Sequence, residues 1–356
     1  MTAIDFVTQR GVDPARSLAA DRHFMHSVRR ASRSRNAVLR VYTFPGDSVS
    51  LGRYHLAPPE RETGGGVALW RRISGGRAVP FGDGFVGISL VLPHRSAFYS
   101  EDAHFLAPYQ VMNRYVRGLL EACKQVNIAA FYPGRDFITV DRRVLGLVSF
   151  ETDESGALLF DAILANTRDF SLLPEMMEEV DPGGLVKIEM MPPSAVTCLA
   201  RELRTELSFG EVAEMICRGF AKQFGAAIEP HTLSPLESQA IDAVAAREFA
   251  PPAWLQQRCH RGDLDRHAAL WIQLGSFEAY YSIEQERFLK EIMFSGDFLA
   301  NSASVERLER DLRLCPIDWR AIDAVANEIY AKSDNYILGI GRLRTIADMI
   351  LRGAQA

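Results

Sequence analysis

The sequence predicts an α+β protein: a mixed β-sheet core with packed helices, followed by a small C-terminal α/β accessory domain. Three observations predict it. The first half carries short apolar or alternating runs, VLRVYTFPGDSVSLG (38–52), VGISLVLP (86–93) and ALLFDAILA (157–165), punctuated by Gly, Pro and Asp. The following stretch carries apolar residues at three- and four-residue steps behind helix-start signals. Around 246–256, REFAPPAWLQQ has the Pro-Pro and polar mix of a junction, which places a boundary near residue 250 and divides the chain into 1–250 and 251–356.

The elements follow in order. Residues 38–52 read as two short strands around Pro-Gly-Asp, and 67–73 and 77–79 as strand-like runs flanking Ser-Gly-Gly. VGISLVLP is apolar throughout, as a central strand is. Leu106, Tyr109, Met112, Tyr115, Leu119 and Cys123 recur at helical spacing. DFITVDRRVLGLVSF (136–150) alternates like a hairpin with Asp-Arg near its turn. Ser208–Glu211 and Ser234–Glu237 have capping-box spacing, the second with Pro at the first helical position. Phe209, Val212, Ile216, Phe220 and Phe224 form an apolar stripe behind the first box. Residues 277–299 alternate like two strands, and Ser304 is placed to cap a helix with Val305, Leu308 and Leu312 inward.

Composition bounds the function. The 356 residues are 47% hydrophobic and 24% charged, with a net charge of −5. That balance predicts no general attraction to nucleic acid or anionic lipid. The apolar run at 85–93 is far shorter than the ~20 residues of a membrane span. Five cysteines, an odd number with no CxxC pair, argue against a disulfide framework or a zinc site, and suit reduced thiols in the cytoplasm. The acidic N-terminus, with no apolar run, does not read as a signal peptide.

WRRISGGRAV (70–79) is the stretch that points to chemistry. Gly-Gly between strands suits an ordinary tight turn. The neighbouring Arg71, Arg72 and Arg77 suit another role, because a glycine backbone lets a phosphate approach and guanidinium groups fork onto its oxygens.

WRRISGGRAVPFGDGFVGISLVLP resembles the signature of the biotin/lipoate attachment family. DPARSLAADRHFM (13–25) resembles that family's opening helix, and VLRVYTFPGDSVSLGRYH (38–55) its Leu-Arg-x-Tyr and Ser-Leu-Gly-Arg strands. Residues 196–225 are similar to the close of its catalytic domain. FLKEIMFSGDFL (288–299) and VERLERDL (305–312) resemble the accessory domain of lipoate–protein ligases. The resemblance implies ATP-dependent activation of lipoate or octanoate, with Mg²⁺ accompanying the nucleotide, and attachment to a lysine of a lipoyl-carrier domain. It implies an adenylate and acyl site formed by Arg71, Arg72, Ser74, Gly75, Gly76, Arg77, Ala78, Val79, Asp83, Asp136 and Gly146, with no permanent metal.

The chain departs from the family at three points. Arg143 stands where ligases carry a catalytic lysine, and the swap is not conservative because guanidinium is planar and differently reaching. FYPGRDFITV (131–140) resembles the context of the acyltransferase cysteine without a cysteine in it. Phe81, Phe160 and Asp161 stand where histidines are expected. Cys123 reads as a core thiol, and His55 lies near the expected pocket mouth. Three readings follow: an ATP-dependent ligase with Arg143 in the lysine's place, an ATP-independent acyltransferase, or a non-catalytic lipoyl-binding paralogue.

Overall fold

The computed structural model of the protein describes residues 3–30, 37–59, 66–285 and 287–355. The chain runs through β1 (Ala3–Gln9), α1 (Pro14–Arg30), β2 (Ala37–Tyr42), β3 (Asp47–Leu51), β4 (Val67–Arg71), β5 (Val79–Gly82) and β6 (Phe85–Leu92). It continues through α2 (Val111–Gln125), β7 (Ala130–Phe131), β8 (Phe137–Val140), β9 (Arg143–Thr152), β10 (Leu158–Ala165), α3 (Leu173–Val180), α4 (Leu199–Leu203) and α5 (Phe209–Phe224). β11 (Ala227–Pro230), α6 (Pro235–Val244) and α7 (Pro252–Leu255) complete this part. Then come β12 (Arg266–Ile272), β13 (Gly275–Glu284), β14 (Phe288–Gly296), β15 (Leu299–Ala300), α8 (Ser302–Asp311), α9 (Trp319–Tyr330), β16 (Ile337–Leu338) and α10 (Thr345–Gln355).

A mixed eight-stranded sheet in the order β11-β1-β2-β6-β10-β9-β8-β7 forms the frame. β1 is parallel to both neighbours, and the other pairings are antiparallel. One face is covered by α2 and α5, where Tyr115, Leu119, Val212, Ile216 and Phe220 pack on Leu90, Phe150 and Phe160. The other face carries α1 and the small sheet β4-β3-β5. Arg40 of β2, fully buried, ties α1 down: its guanidinium donates to Asp21, to the Ser17 carbonyl and to Gln9. An unpaired charge there would be costly, so these contacts fix the helix to the sheet.

Local chemistry explains the connections. Asp141 and Arg142 both take left-handed backbone (φ 47° and 65°), as the two-residue β8–β9 hairpin requires. Both capping boxes form, Ser208 with Glu211 and Ser234 with Glu237. The third predicted cap is corrected. α8 begins at Ser302 with Asn301 before it, while Ser304 is buried and bonds back to the Asn301 carbonyl. Leu106 and Tyr109 likewise precede α2 rather than join it, since Pro108 opens a separate tight turn.

The segment after α7 has its own core, with Phe277, Tyr281, Phe294, Leu308, Ile322 and Ile350 at its centre. It is seated directly on the Ser74–Gly76 loop. The Gly76 N–H donates to the Phe298 carbonyl (3.0 Å), Tyr54 stacks on Phe298 (4.3 Å between centroids), and its hydroxyl donates to the Ala300 carbonyl (2.7 Å). Nδ1 of His55 accepts the Gly52 N–H (3.0 Å), so Nε2 carries the proton and donates to Asp297 Oδ1 (2.9 Å). A Cβ on Gly75 would lie 2.4 Å from the Phe298 oxygen. Gly75→Ala is therefore expected to lower stability by about 1–3 kcal/mol, and to increase proteolytic cutting in the 250–265 segment at native temperature, read by gel and mass spectrometry.

Candidate functional site

β4 delivers Arg71 and Arg72 on opposite sides of its end, and only one of them enters the site. Arg71 is fully buried, and its five N–H groups are all engaged by backbone carbonyls. It donates to Gly52, Arg53 and His55 (3.1, 2.9 and 2.7 Å), and to Leu255 and Arg258 (2.8 and 3.4 Å). No donor is left for a ligand. Arg72 turns the other way, donating to the Gly75 and Ser50 carbonyls (2.8 and 3.2 Å).

Arg72, Gly76, Arg77, Val79 and Asp136 come together around one cavity, completed by Leu147, Val148, Ser149, Asp161, Ala162 and Ile163 of β9 and β10. Two polar devices fill it. Arg77 pairs with Asp136 (2.5 Å) and with Glu189, and its guanidinium lies over the Phe137 ring. Burial pulls Arg77 down, but the two carboxylates outweigh burial and hold it above its usual value. Ser74 Oγ donates to Asp161 Oδ2 (2.7 Å) and lies 2.8 Å from Ser149 Oγ, which also bonds Asp161. Burial raises the Asp161 carboxyl, against the Arg72 charge and both hydroxyls. The space left measures about 20 Å³, room for about one water.

The other expected residues lie elsewhere. Ala78 packs in the cluster of Val49, Leu51 and Met176. Asp83 is an exposed residue of the β5–β6 turn. Gly146 lets β9 and β10 close up, since a Cβ there would meet Leu164 at 2.6 Å. Arg143 sits at the hairpin turn, about one-third exposed, and pairs with Glu202 (2.9 Å). It is held outside the cavity because the turn places it at the far end of β9. Cys123 is a buried core thiol, pushed up to about 12 by burial.

Sequence reading singles out neither Ser149 nor Glu189, and takes Asp161 only as a replaced histidine. Asp161 had a signal: a lone acid inside an apolar strand needs a buried partner. Beyond the cavity, Glu151 follows Ser149 on the same face of β9. It is 3% exposed, accepts the Ser302 N–H of α8 (2.9 Å), and is raised to about 8 by burial, against the Ser302 N–H and the charges of Arg53 and Arg22.

The family follows from comparison. Residues 13–221, more than half of the chain, match the family model for the lipoyl protein ligase A/B catalytic domain. The chain belongs to the lipoyl protein ligase A/B family. Its fold is similar to that of P. falciparum LipL1 in complex with lipoate, at 12% identity over 98% of this chain and 99% of that one, with a TM-score of 0.69. It is also similar to the bipartite T. acidophilum lipoate protein ligase studied with its E2 lipoyl domain (17% identity, 73% and 99% covered, TM-score 0.57). A lipoate–protein ligase A bound with ATP matches at 17% identity, with 72% and 98% covered and a TM-score of 0.55. No curated protein matches the sequence. The fold of LipL1, over nearly the whole of both chains, is thus the fold of this chain. Among the described residues no helix is long and apolar enough to cross a membrane.

Two predictions follow from the buried groups. Replacing Arg71 with Lys removes most of its carbonyl contacts and leaves several unsatisfied, so Arg71→Lys should cost on the order of 2–4 kcal/mol, read as a lower denaturant midpoint. Glu151 titrates near 4.5 when unfolded and about 8 when folded. Its folded form therefore holds the proton, and its contribution to stability falls as pH rises between those values. Glu151→Gln removes that loss, so the variant's melting temperature relative to the parent should climb from pH ~5 to ~8.

Proposed function

We propose that this chain activates a medium-chain acid such as lipoate or octanoate with ATP and transfers the acyl group to a lysine of a lipoyl-carrier domain. The observation that carries the reading is the pair of guanidinium groups converging on a glycine loop beside an apolar wall. Val79, Leu147, Val148, Ala162 and Ile163 supply the wall, and Arg72 and Arg77 the charge. Arg77 Nη2 and Asp136 Oδ1 are both buried without a protein partner, so a nucleotide has a donor and an acceptor ready for it. Related structures bound with lipoate and with ATP support the same ligands.

The residues divide the work as follows. Arg77 holds phosphate in exchange for Glu189, and Asp136 accepts a hydroxyl or amino hydrogen of the nucleoside. Arg72 opposes the charge that develops on the acyl phosphate, as a preorganised donor does. Ser74 and Ser149, held by Asp161, set the loop's distance from β9. Mg²⁺ would come with the nucleotide, held by its phosphates, and would supply charge shielding there.

A second reading, a non-catalytic lipoyl-binding paralogue, is favoured by one observation: Arg143 spends its charge on Glu202, so no cation stands at the family's lysine position. An ATP-independent acyltransferase has less support, since Cys123 is sealed in the core.

Labelled pyrophosphate should exchange into ATP when the chain is incubated with Mg²⁺ and lipoate or octanoate, and Arg77→Ala should reduce exchange by at least about 10²-fold. Calorimetric binding of octanoyl-AMP without any exchange would instead establish the second reading.

A further inference from the structure

A cleft of about 270 Å³ opens beside the slot, between α1, the β9–β10 turn and the start of α8. Ile73, the residue before Ser74, lines the cleft and also the narrow space beside Arg72, Asp161 and Ile163 of the slot, so it sits where the two meet. Side chains alternate along a strand, so Ser149 in the slot and Glu151 in the cleft share one face of β9, about 6–7 Å apart. The two spaces are thus neighbours along a single strand.

The cleft carries unsatisfied chemistry. Glu151 Oε2 is buried without a hydrogen-bond partner, as is Arg53 Nη1, while Arg22 Nε has only an ion pair with Glu248 at 3.8 Å. Glu151 is nine-tenths buried and more, and only its Oε1 is used, by Ser302. The exposed rim is acidic: Glu154 is exposed and the Glu306 side chain is 65% exposed. The arginines lie deeper, with side chains 22% and 13% exposed. Such an arrangement draws a cation to the mouth and disfavours its charged form farther in.

We propose that this cleft is the port for the acyl-accepting primary amine, and that Glu151 takes the amine's proton as its nitrogen attacks the acyl group in the slot. The inference rests on the acyl-transfer reading above. In the step, the lysine nitrogen forms a bond to the acyl carbonyl carbon. The bond from that carbon to the phosphate oxygen breaks, and AMP leaves with its electron pair. The proton lost by nitrogen passes to Glu151 Oε2 and from there to water in the cleft. A carboxyl raised to about 8 is a better acceptor for an amine than an ordinary glutamate. The titratable groups around it are Arg22 and His26 of α1, Arg53 and Tyr54 after β3, Asp153 and Glu154 of the turn, Glu306 of α8, and Tyr336.

The test uses the full chain with chemically made octanoyl-AMP and no ATP. The acceptors are an E2 lipoyl domain and, in parallel, Nα-acetyl-lysine amide, with transfer followed by mass spectrometry across pH 6 to about 9.5. The parent's rate should rise with pH and bend near 8. Glu151→Gln, which keeps an oxygen for the Ser302 N–H, should be about 10²-fold slower and show no bend. Glu154→Lys at the rim should raise the KM for the lipoyl domain several-fold with kcat little changed. The proposal is overturned if Glu151→Gln transfers with the parent's rate and profile, if the rim variant leaves KM unmoved, or if the parent transfers to neither amine. Absence of pyrophosphate exchange alongside transfer from supplied octanoyl-AMP would remove the ATP step and leave the port standing.

Discussion

A single buried guanidinium organises the site without being able to touch a ligand. Arg71 gathers carbonyls from the turn after β3 and from the end of α7 and the residues that follow it, two segments that also meet where the Ala57 N–H donates to the Arg258 carbonyl (2.7 Å). Because all of its donors are satisfied by backbone, the charge is tolerable at full burial. The consequence is positional. The loop begins one residue later, so Arg72 is forced to the opposite side, over the glycines, and the junction between the two parts of the chain is locked to the same strand end. Trp254 reinforces the lock through its indole N–H, which donates to the Arg71 carbonyl (2.7 Å).

From that anchor the slot acquires alternating charge. Arg72 faces Asp161 and Arg77 faces Asp136 beside the apolar wall, while Glu189, its side chain 42% exposed, pairs with Arg77 from outside the cavity. Carboxylates therefore stand in positions that an anionic ligand would compete for. Such internal pairing keeps the cations from being stranded in a low dielectric when no ligand is present. It also explains how a loop rich in glycine and arginine remains ordered: the amides of Gly76 and the carbonyl of Gly75 are both used, one by the accessory segment and one by Arg72.

Much of this was legible in the sequence. Capping boxes, the β8–β9 turn and the apolar stripe of α5 were readable because each is decided within a few residues. The strands β1, β11 and β12 were not. β1 and β11 pair in parallel across more than two hundred residues, and short edge strands leave little local pattern. Of the motif arginines, sequence could say that all three were chemically suited to phosphate. It could not say that Arg71 would be consumed by carbonyls brought together only in the fold. Glu151 was invisible for the same reason, since its burial depends on Ser302, about 150 positions away.

The near-solid packing of the slot has a kinetic corollary. With room for about one water, the slot has to widen before an acyl nucleotide enters, so under the proposed function the observed dissociation constant is the intrinsic one divided by the fraction of molecules that are open. Association would then saturate at the opening rate however much ligand is supplied.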